Sequence, residues 1–381
     1  MSARAALVAA TVFGLAACLR PAITSVGPLL PDIGAGTGLS YASLGLLGSL
    51  PLLLFAAVAP VAVPALRRSG PIVVARGILL VLVVGIVARS LAGVPGLWLG
   101  TVLLAGAVAV GNVLVPVLVR RDYARHAALA SGANALVMTC FAALGSGLAI
   151  TVTDWTGDWR YTLALWAVPA VLIGALWCLR REESTAGDAP PRVQRSRPLR
   201  SRTAWAVTFF MGLQSLTFYV VITWLPSIEL GRGFGAATAA WHLLLYQLVG
   251  APFGLVVSWV LHRTGRYPLV ALVTSLPMLV GAAGLLVTDG SALPWLLIAA
   301  PGSAGSLSVA FLLMSYQASD AVGAEGLSAM ANSGGYLIAA CGPVIAGALH
   351  EWWSSWTPAL VLLVVAAAAQ CVVALPASRR S

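Results

Sequence analysis

Residues 180–203 read RREESTAGDAPPRVQRSRPLRSRT, and no other stretch of the chain departs so far from its surroundings in composition. Five arginines fall between Gly187 and Arg202, interleaved with Pro, Ser and Gly, so the segment reads as an exposed linker rather than a domain. What flanks it on both sides is overwhelmingly apolar. Of the 381 residues, 60% are hydrophobic and 9% are charged, whereas a soluble domain carries about a quarter of its residues as charged side chains. With so few charges a folded chain of this size cannot cover itself in water, and most of its surface is expected to face lipid.

A membrane-crossing helix needs roughly 20 mostly apolar residues. On that criterion the chain is expected to be all-α and polytopic, with twelve spans at 6–31, 42–65, 71–91, 95–119, 127–150, 161–179, 204–227, 237–261, 267–287, 293–315, 326–349 and 357–376. The loops alternate in charge. One set holds Arg67 and Arg68, then Arg120, Arg121 and Arg125, then the 180–203 arginines, then Arg263 and Arg266, with Arg4 and Arg379-Arg380 on the same side. The other holds Arg160 and Arg232, plus Arg89 near a helix end. The positive-inside rule then places both termini and the linker in the cytoplasm of a multi-pass plasma-membrane (cell inner membrane) protein. Arg4 gives the first apolar run a weak resemblance to a signal peptide, but the Arg20-Pro21 pair at its centre and the many spans that follow favour an uncleaved first helix.

The two halves echo each other. Leu30-Pro31-Asp32-Ile33 closes span 1 and Leu225-Pro226-Ser227-Ile228 closes span 7, while Ala133-Asn134 in span 5 is matched by Ala331-Asn332 in span 11. Both offsets are nearly the same, and the basic linker lies at the midpoint. The expected organisation is an N-terminal six-helix bundle over 1–179, the linker over 180–203 and a C-terminal six-helix bundle over 204–381. Such parallel repeats belong to transporters that rock two halves about a central site.

Several function classes are excluded or disfavoured. The net charge of +10 comes from 22 arginines scattered over short loops, so there is no basic face for nucleic acid. The five cysteines lie inside apolar runs and read as small packing residues. The four histidines have no metal-ligand spacing, and no nucleotide-binding loop, metalloprotease motif or other cofactor signature is present, so no cofactor or metal is expected. No selectivity-filter pattern suggests a channel. A membrane-embedded enzyme or sensor would need clustered His and acidic residues or an output domain, and the chain offers neither. The expected partners are a small-molecule solute, the lipid bilayer and protons, with the chain acting as a monomer.

Arg20 is the most informative side chain. It lies midway along span 1, where a charge costs at least about 2.5–3.5 kcal/mol on insertion scales, so it should face a cavity or a partner. Pro21 follows at once, and Pro28 and Pro31 come soon after, so span 1 is expected to be kinked or partly unwound. A cavity-facing guanidinium beside freed backbone groups suits an anionic or strongly polar planar solute; a structural arginine held by carbonyls or a buried acid is the competing reading. Span 7 carries Gln214, Thr217, Tyr219 and Trp224, of which Gln214, Thr217 and Phe218 can share a face and Gln214 and Tyr219 cannot. Span 8 adds Tyr246 and Gln247, span 4 adds Asn112 ahead of Pro116, and span 11 adds Asn332 and Tyr336. Each of these is a substrate-binding candidate, with interhelical hydrogen bonding as the plainer alternative. Asp32, Glu229 and His242 are the candidates for proton coupling. Trp155, Trp159, Trp352, Trp353 and Trp356 fall in outer loops or span ends, where an interfacial belt accounts for them.

The stretch Leu19-Arg20-Pro21-Ala22-Ile23-Thr24-Ser25-Val26-Gly27-Pro28-Leu29-Leu30-Pro31 resembles the first helix of the cyanate and 2-nitroimidazole transporter family of the major facilitator superfamily. Gly212-Leu213-Gln214-Ser215 with Tyr219 and Trp224-Leu225-Pro226 is similar to that family's seventh helix, and Gly335-Tyr336-Leu337-Ile338-Ala339-Ala340 with Gly342-Pro343 to its eleventh. The superfamily's acidic loop motif between helices 2 and 3 is reduced here to Arg67-Arg68-Ser69-Gly70, and its second-half counterpart to His262-Arg263-Thr264-Gly265-Arg266, both without the acid. The resemblance implies a single-polypeptide secondary carrier with alternating access. Its solute would be small and anionic or electron-rich, as cyanate and nitroimidazoles are, and Arg20 would suit both. A multidrug-type, proton-coupled exporter of small lipophilic compounds is the alternative; for cationic lipophiles it would want an acid in the cavity, and none stands out.

Overall fold

The computed structural model describes residues 3–180, 201–317 and 321–379, so most of the 180–203 linker lies outside the described residues. Among those residues the regular structure is helical: α1 Ala3–Leu19, α2 Pro21–Thr24, α3 Val26–Thr37, α4 Tyr41–Leu91, α5 Gly93–Asp122, α6 Ala127–Gly147, α7 Ala149–Thr156, α8 Trp159–Leu165, α9 Ala167–Leu179, α10 Arg202–Gly231, α11 Ala236–Thr264, α12 Tyr267–Val287, α13 Leu293–Tyr316, α14 Ala321–Trp353 and α15 Thr357–Ser378, with one 3₁₀ turn at Ala124–His126. Twelve segments of these are long and apolar enough to cross a membrane. Helices satisfy their own backbone polar groups, which is what a hydrocarbon solvent demands.

Several helices outrun the apolar stretches that predict them. Spans 2 and 3 run together as α4 and are separated at Gly70, whose φ of 73° and ψ of 158° turn the chain. A glycine takes that left-handed φ without the Cβ clash that other residues meet. Span 1 is divided into α1, α2 and α3. Span 6 is interrupted at Trp166, while span 5, α6, is followed after Leu148 by the short helix α7. Between α7 and α8, Gly157 caps in the left-handed region and the Asp158 carboxylate accepts from the Arg160 amide at 2.9 Å.

The chain forms two compact units. Unit 1 comprises Met1–Val26 and Ala57–Arg192, and unit 2 comprises Gly27–Ala56 and Val193–Ser381. Within unit 1, α1 packs on α5, α6 and α9, and α2 packs on α6. Within unit 2, α10 packs most extensively on α14, and α12 on α13 and α15. Glycines allow backbones to meet in both units. A Cβ on Gly27 would fall 2.1 Å from the Ile222 carbonyl oxygen, and one on Gly45 would fall 2.4 Å from that of Pro343. The apolar core of unit 2 gathers Val207, Phe210, Met211, Val309 and Leu313.

Of the tryptophans expected to form an interfacial belt, Trp155, Trp352 and Trp353 are well exposed. Two others are less exposed. Trp159 is buried, with the Arg160 guanidinium 4.4 Å from its ring centroid. Trp356 stacks on His350 at 3.9 Å and lies 5.1 Å from Trp224. Tyr41, Trp224, His350 and Trp356 form one aromatic cluster, in which Trp356 is half-buried.

Candidate functional site

The helix-1 break is centred on Arg20 and Pro21. α1 stops at Leu19, the four-residue α2 begins at Pro21, and α3 begins at Val26. Pro21 brings no amide proton, so the ladder loses a donor where the arginine sits. The Arg20 carbonyl is taken up locally, by the amides of Ile23 at 3.0 Å and Thr24 at 3.1 Å. The Arg20 side chain is half-buried, whereas Pro21, Ala22 and Thr24 are buried. The break is packed against α6: Thr24 Oγ1 donates to the Ala142 carbonyl at 2.7 Å, and a Cβ on Gly145 would fall 2.8 Å from Pro21 Cα. Irregular backbone in a membrane span is tolerated where protein covers it, as here.

In unit 2, α10 and α11 carry a dense polar set. Gln214 is buried and its Oε1 accepts from Ser215 Oγ at 3.0 Å, while its carbonyl accepts from Thr217 Oγ1 at 2.9 Å. The half-buried Phe218 ring joins Tyr219, edge-on at 5.3 Å, to Tyr246, stacked at 6.2 Å. Both tyrosines are buried, and Gln247 next to Tyr246 donates from Nε2 to the Leu243 carbonyl at 3.3 Å. Four of the expected binding residues therefore lie on two helices, with Tyr219 and Tyr246 meeting through Phe218.

Two of the three coupling candidates are partners. His242 Nδ1 lies 2.6 Å from Glu229 Oε1, and the same oxygen accepts from the Ala292 amide at 3.3 Å. Glu229 is fully buried and His242 nearly so. Just past the end of α10, Arg232 donates from Nη2 to the Leu285 carbonyl. Burial lowers the pKa of Arg232, and the charges of Asp289 and Glu229 pull it back up. The third candidate, Asp32 on α3, is exposed.

The remaining candidates are more ordinary. Asn112 is half-buried in α5, four residues before Pro116. Asn332 of α14 donates to the Ser328 carbonyl at 2.9 Å and lies 3.7 Å from Met314 Sδ. Tyr336 meets Phe55 edge-on at 5.5 Å. Among the described residues no group of three or more His, Cys, Asp or Glu side chains could hold a metal ion.

Three polar residues stand out in the structure and not in the sequence. Arg89 reads as a span-end charge, yet it is fully buried in unit 1 and its Nη1 donates to the Ala22 carbonyl at 2.6 Å. Arg180 reads as part of a solvated linker, yet it is buried, paired with Asp122, bonded to Thr11 Oγ1 at 3.2 Å and set over the Trp177 ring. The counter-charge and the π face explain why it leaves water. Gln370 of α15 donates to Ser275 of α12 and Ser306 of α13, each at 3.0 Å.

A twelve-span chain with a broken, arginine-bearing first helix and polar groups buried on two further spans has the build of a solute carrier. The family model for the Major Facilitator Superfamily matches residues 12–331. The chain belongs to that superfamily. It is 35% identical over 372 residues to the 2-nitroimidazole transporter of Escherichia coli (strain K12), spanning 97% of this chain and 95% of that protein. It is also 27% identical over 347 residues to the cyanate transport protein CynX of the same organism, spanning 87% of each. Among solved structures, a bacterial homolog of the human lysosomal transporter Spinster, in an inward-facing and unoccupied conformation, has a TM-score of 0.81 at 17% identity. That structure is covered over 98% of its length, with 100% of this chain, and the likeness is one of fold. This major facilitator protein is thus a multi-pass membrane transporter, and its family and fold are those of transporters rather than enzymes.

Proposed function

We propose that this transporter carries a small anionic or electron-rich polar solute, of the cyanate or nitroimidazole kind, by alternating access between two six-helix halves joined by the cytoplasmic 180–203 linker. The observation that carries the reading is the half-buried Arg20 at a proline break in span 1. A guanidinium offers a planar fork of donors that matches negative or electron-rich planar acceptors. The relatives named for 2-nitroimidazole and for cyanate support the same solute class, since both compounds present planar acceptors of partial or full negative charge. Gln214, Tyr219, Tyr246 and Gln247 are proposed as further solute contacts, with Asn112, Asn332 and Tyr336 secondary to them.

We also propose that transport is coupled to protons through Glu229 and His242. Glu229 and His242 form one buried carboxylate–imidazole hydrogen bond, the chemistry a proton relay needs, with Arg232 and Asp289 as charged groups nearby. The exporter of cationic lipophiles is less well served, because Glu229, the fully buried acid among the described residues, is already engaged by His242. The test is counterflow uptake of labelled 2-nitroimidazole and of cyanate into proteoliposomes holding the wild type or Arg20→Ala. Uptake of one probe by the wild type and its loss in the variant is the expected result; equal uptake by both removes Arg20 from the solute path.

A further inference from the structure

We propose that Arg89 is a positioning residue for the solute contact at Arg20, acting by holding the helix-1 break at Ala22; the inference rests on the reading of Arg20 above. In an unbroken helix the Ala22 carbonyl accepts from the amide of Val26, four residues on. Here α2 ends at Thr24 and α3 starts at Val26, so the ladder is interrupted at that step. The Arg89 Nη1 donates to the Ala22 carbonyl instead, at 2.6 Å. A single four-residue turn has almost no stability of its own. It keeps its place through what it touches, and Arg89 supplies the charged contact, two residues from Arg20.

The arginine is itself firmly set. A Cβ on Gly100 of α5 would fall 2.3 Å from the Arg89 amide nitrogen and 2.6 Å from its Cα, and one on Gly85 would fall 2.7 Å from the Leu104 nitrogen. The two helices thus meet backbone to backbone at Arg89. The guanidinium reaches from this fixed base across to α2.

Stability alone does not account for the residue. Arg89 Nε and Nη2 have no hydrogen-bond partner among the described residues, and the side chain is fully buried. A buried charge satisfied at one of its three nitrogens costs more in desolvation than it returns, and apolar replacements at such sites are often neutral or stabilising. A residue kept against that cost is best explained by what it holds in place.

The test compares wild type, Arg89→Met, Arg89→Lys and Arg20→Ala in detergent. Each is read by thermal melting, by amide hydrogen exchange over residues 19–26 and by affinity for 2-nitroimidazole and cyanate. Arg89→Met is expected to melt at or above the wild-type temperature and to exchange faster at residues 22–26. Its affinity for the bound probe should fall at least about tenfold, the scale of a lost charge-assisted contact. Arg89→Lys retains a cationic donor and should recover part of the affinity and the protection, which covers the case in which the Met variant does not fold. Arg20→Ala should lose the affinity while keeping wild-type exchange at 22–26. Wild-type affinity and exchange in Arg89→Met overturn the proposal and leave the reading of Arg20 standing. Undiminished affinity in Arg20→Ala overturns that reading, and with it the purpose assigned to Arg89.

Discussion

Glu229 of α10 and His242 of α11, thirteen residues apart in the chain, share one 2.6 Å contact between Oε1 and Nδ1 in the interior of unit 2. A carboxylate and an imidazole in one hydrogen bond can share a single proton, and gain or loss of a proton then changes the net charge of the pair, a change that burial makes consequential. Replacing Glu229 by Gln preserves the shape and removes the proton site. Glu229→Gln is expected to keep solute binding while losing any stimulation of uptake by an imposed pH gradient. Measuring uptake in proteoliposomes with and without the gradient checks this. A gradient response that persists in the variant moves coupling elsewhere.

Asp122 and Arg180 join the ends of α5 and α9, and Arg76 adds bonds to the Trp177 and Arg180 carbonyls at 3.1 and 2.8 Å. Removing one partner from such a pair strands a buried charge. Asp122→Ala is expected to lose on the order of 3 kcal/mol, seen as a lowered melting temperature in detergent. Asp122→Ala combined with Arg180→Met should recover part of the loss. Strict additivity of the two single changes would mean that the pair is not coupled.

Backbone contact at the glycines gives a sharper contrast. A methyl at Gly27 meets the Ile222 carbonyl, which cannot rotate away, whereas nothing lies within 4 Å of a Cβ on Gly77. Gly27→Ala is expected to destabilise by about 1–3 kcal/mol through overpacking and to impair transport. Gly77→Ala, in the middle of α4, should be neutral or stabilising by about 0.5–1 kcal/mol from helix propensity. Thermal melts of the two variants side by side test the packing; equal behaviour would contradict it.

Gln370 ties α15 to α12 and α13 through Ser275 and Ser306. Gln370→Leu keeps the bulk and removes both bonds. It should cost about 1–2 kcal/mol, the range for interhelical hydrogen bonds in membrane spans, without changing solute affinity. A fall in affinity at unchanged stability would instead place Gln370 on the solute path.

Most of the fold can be read from apolar length alone, because a hydrocarbon solvent leaves the backbone few options. Span 9 is expected at 267–287 and found at Tyr267–Val287, bounded by Gly265 in the left-handed region and by Pro268 in the first turn. The break in span 1 is equally legible, since a mid-span arginine followed by proline has few other solutions. The site is less so. Arg89 stands at the end of an apolar run, where a charge ordinarily marks topology, and its partner is the Ala22 carbonyl, which no side-chain pattern advertises. Arg180 opens the basic linker, and only the fold brings Asp122 and Trp177 to it. Glu229 and His242 are each visible as titratable residues, but a spacing across two helices and a loop does not reveal that they touch.

The central claim, that Arg20 recognises a small anionic or electron-rich solute, is tested most directly by the dissociation constants of 2-nitroimidazole and cyanate for purified wild type, Arg20→Lys and Arg20→Ala. One probe should bind the wild type saturably, bind Arg20→Lys more weakly because an ammonium lacks the planar fork, and show no measurable binding to Arg20→Ala. Equal affinities in all three proteins would contradict that claim.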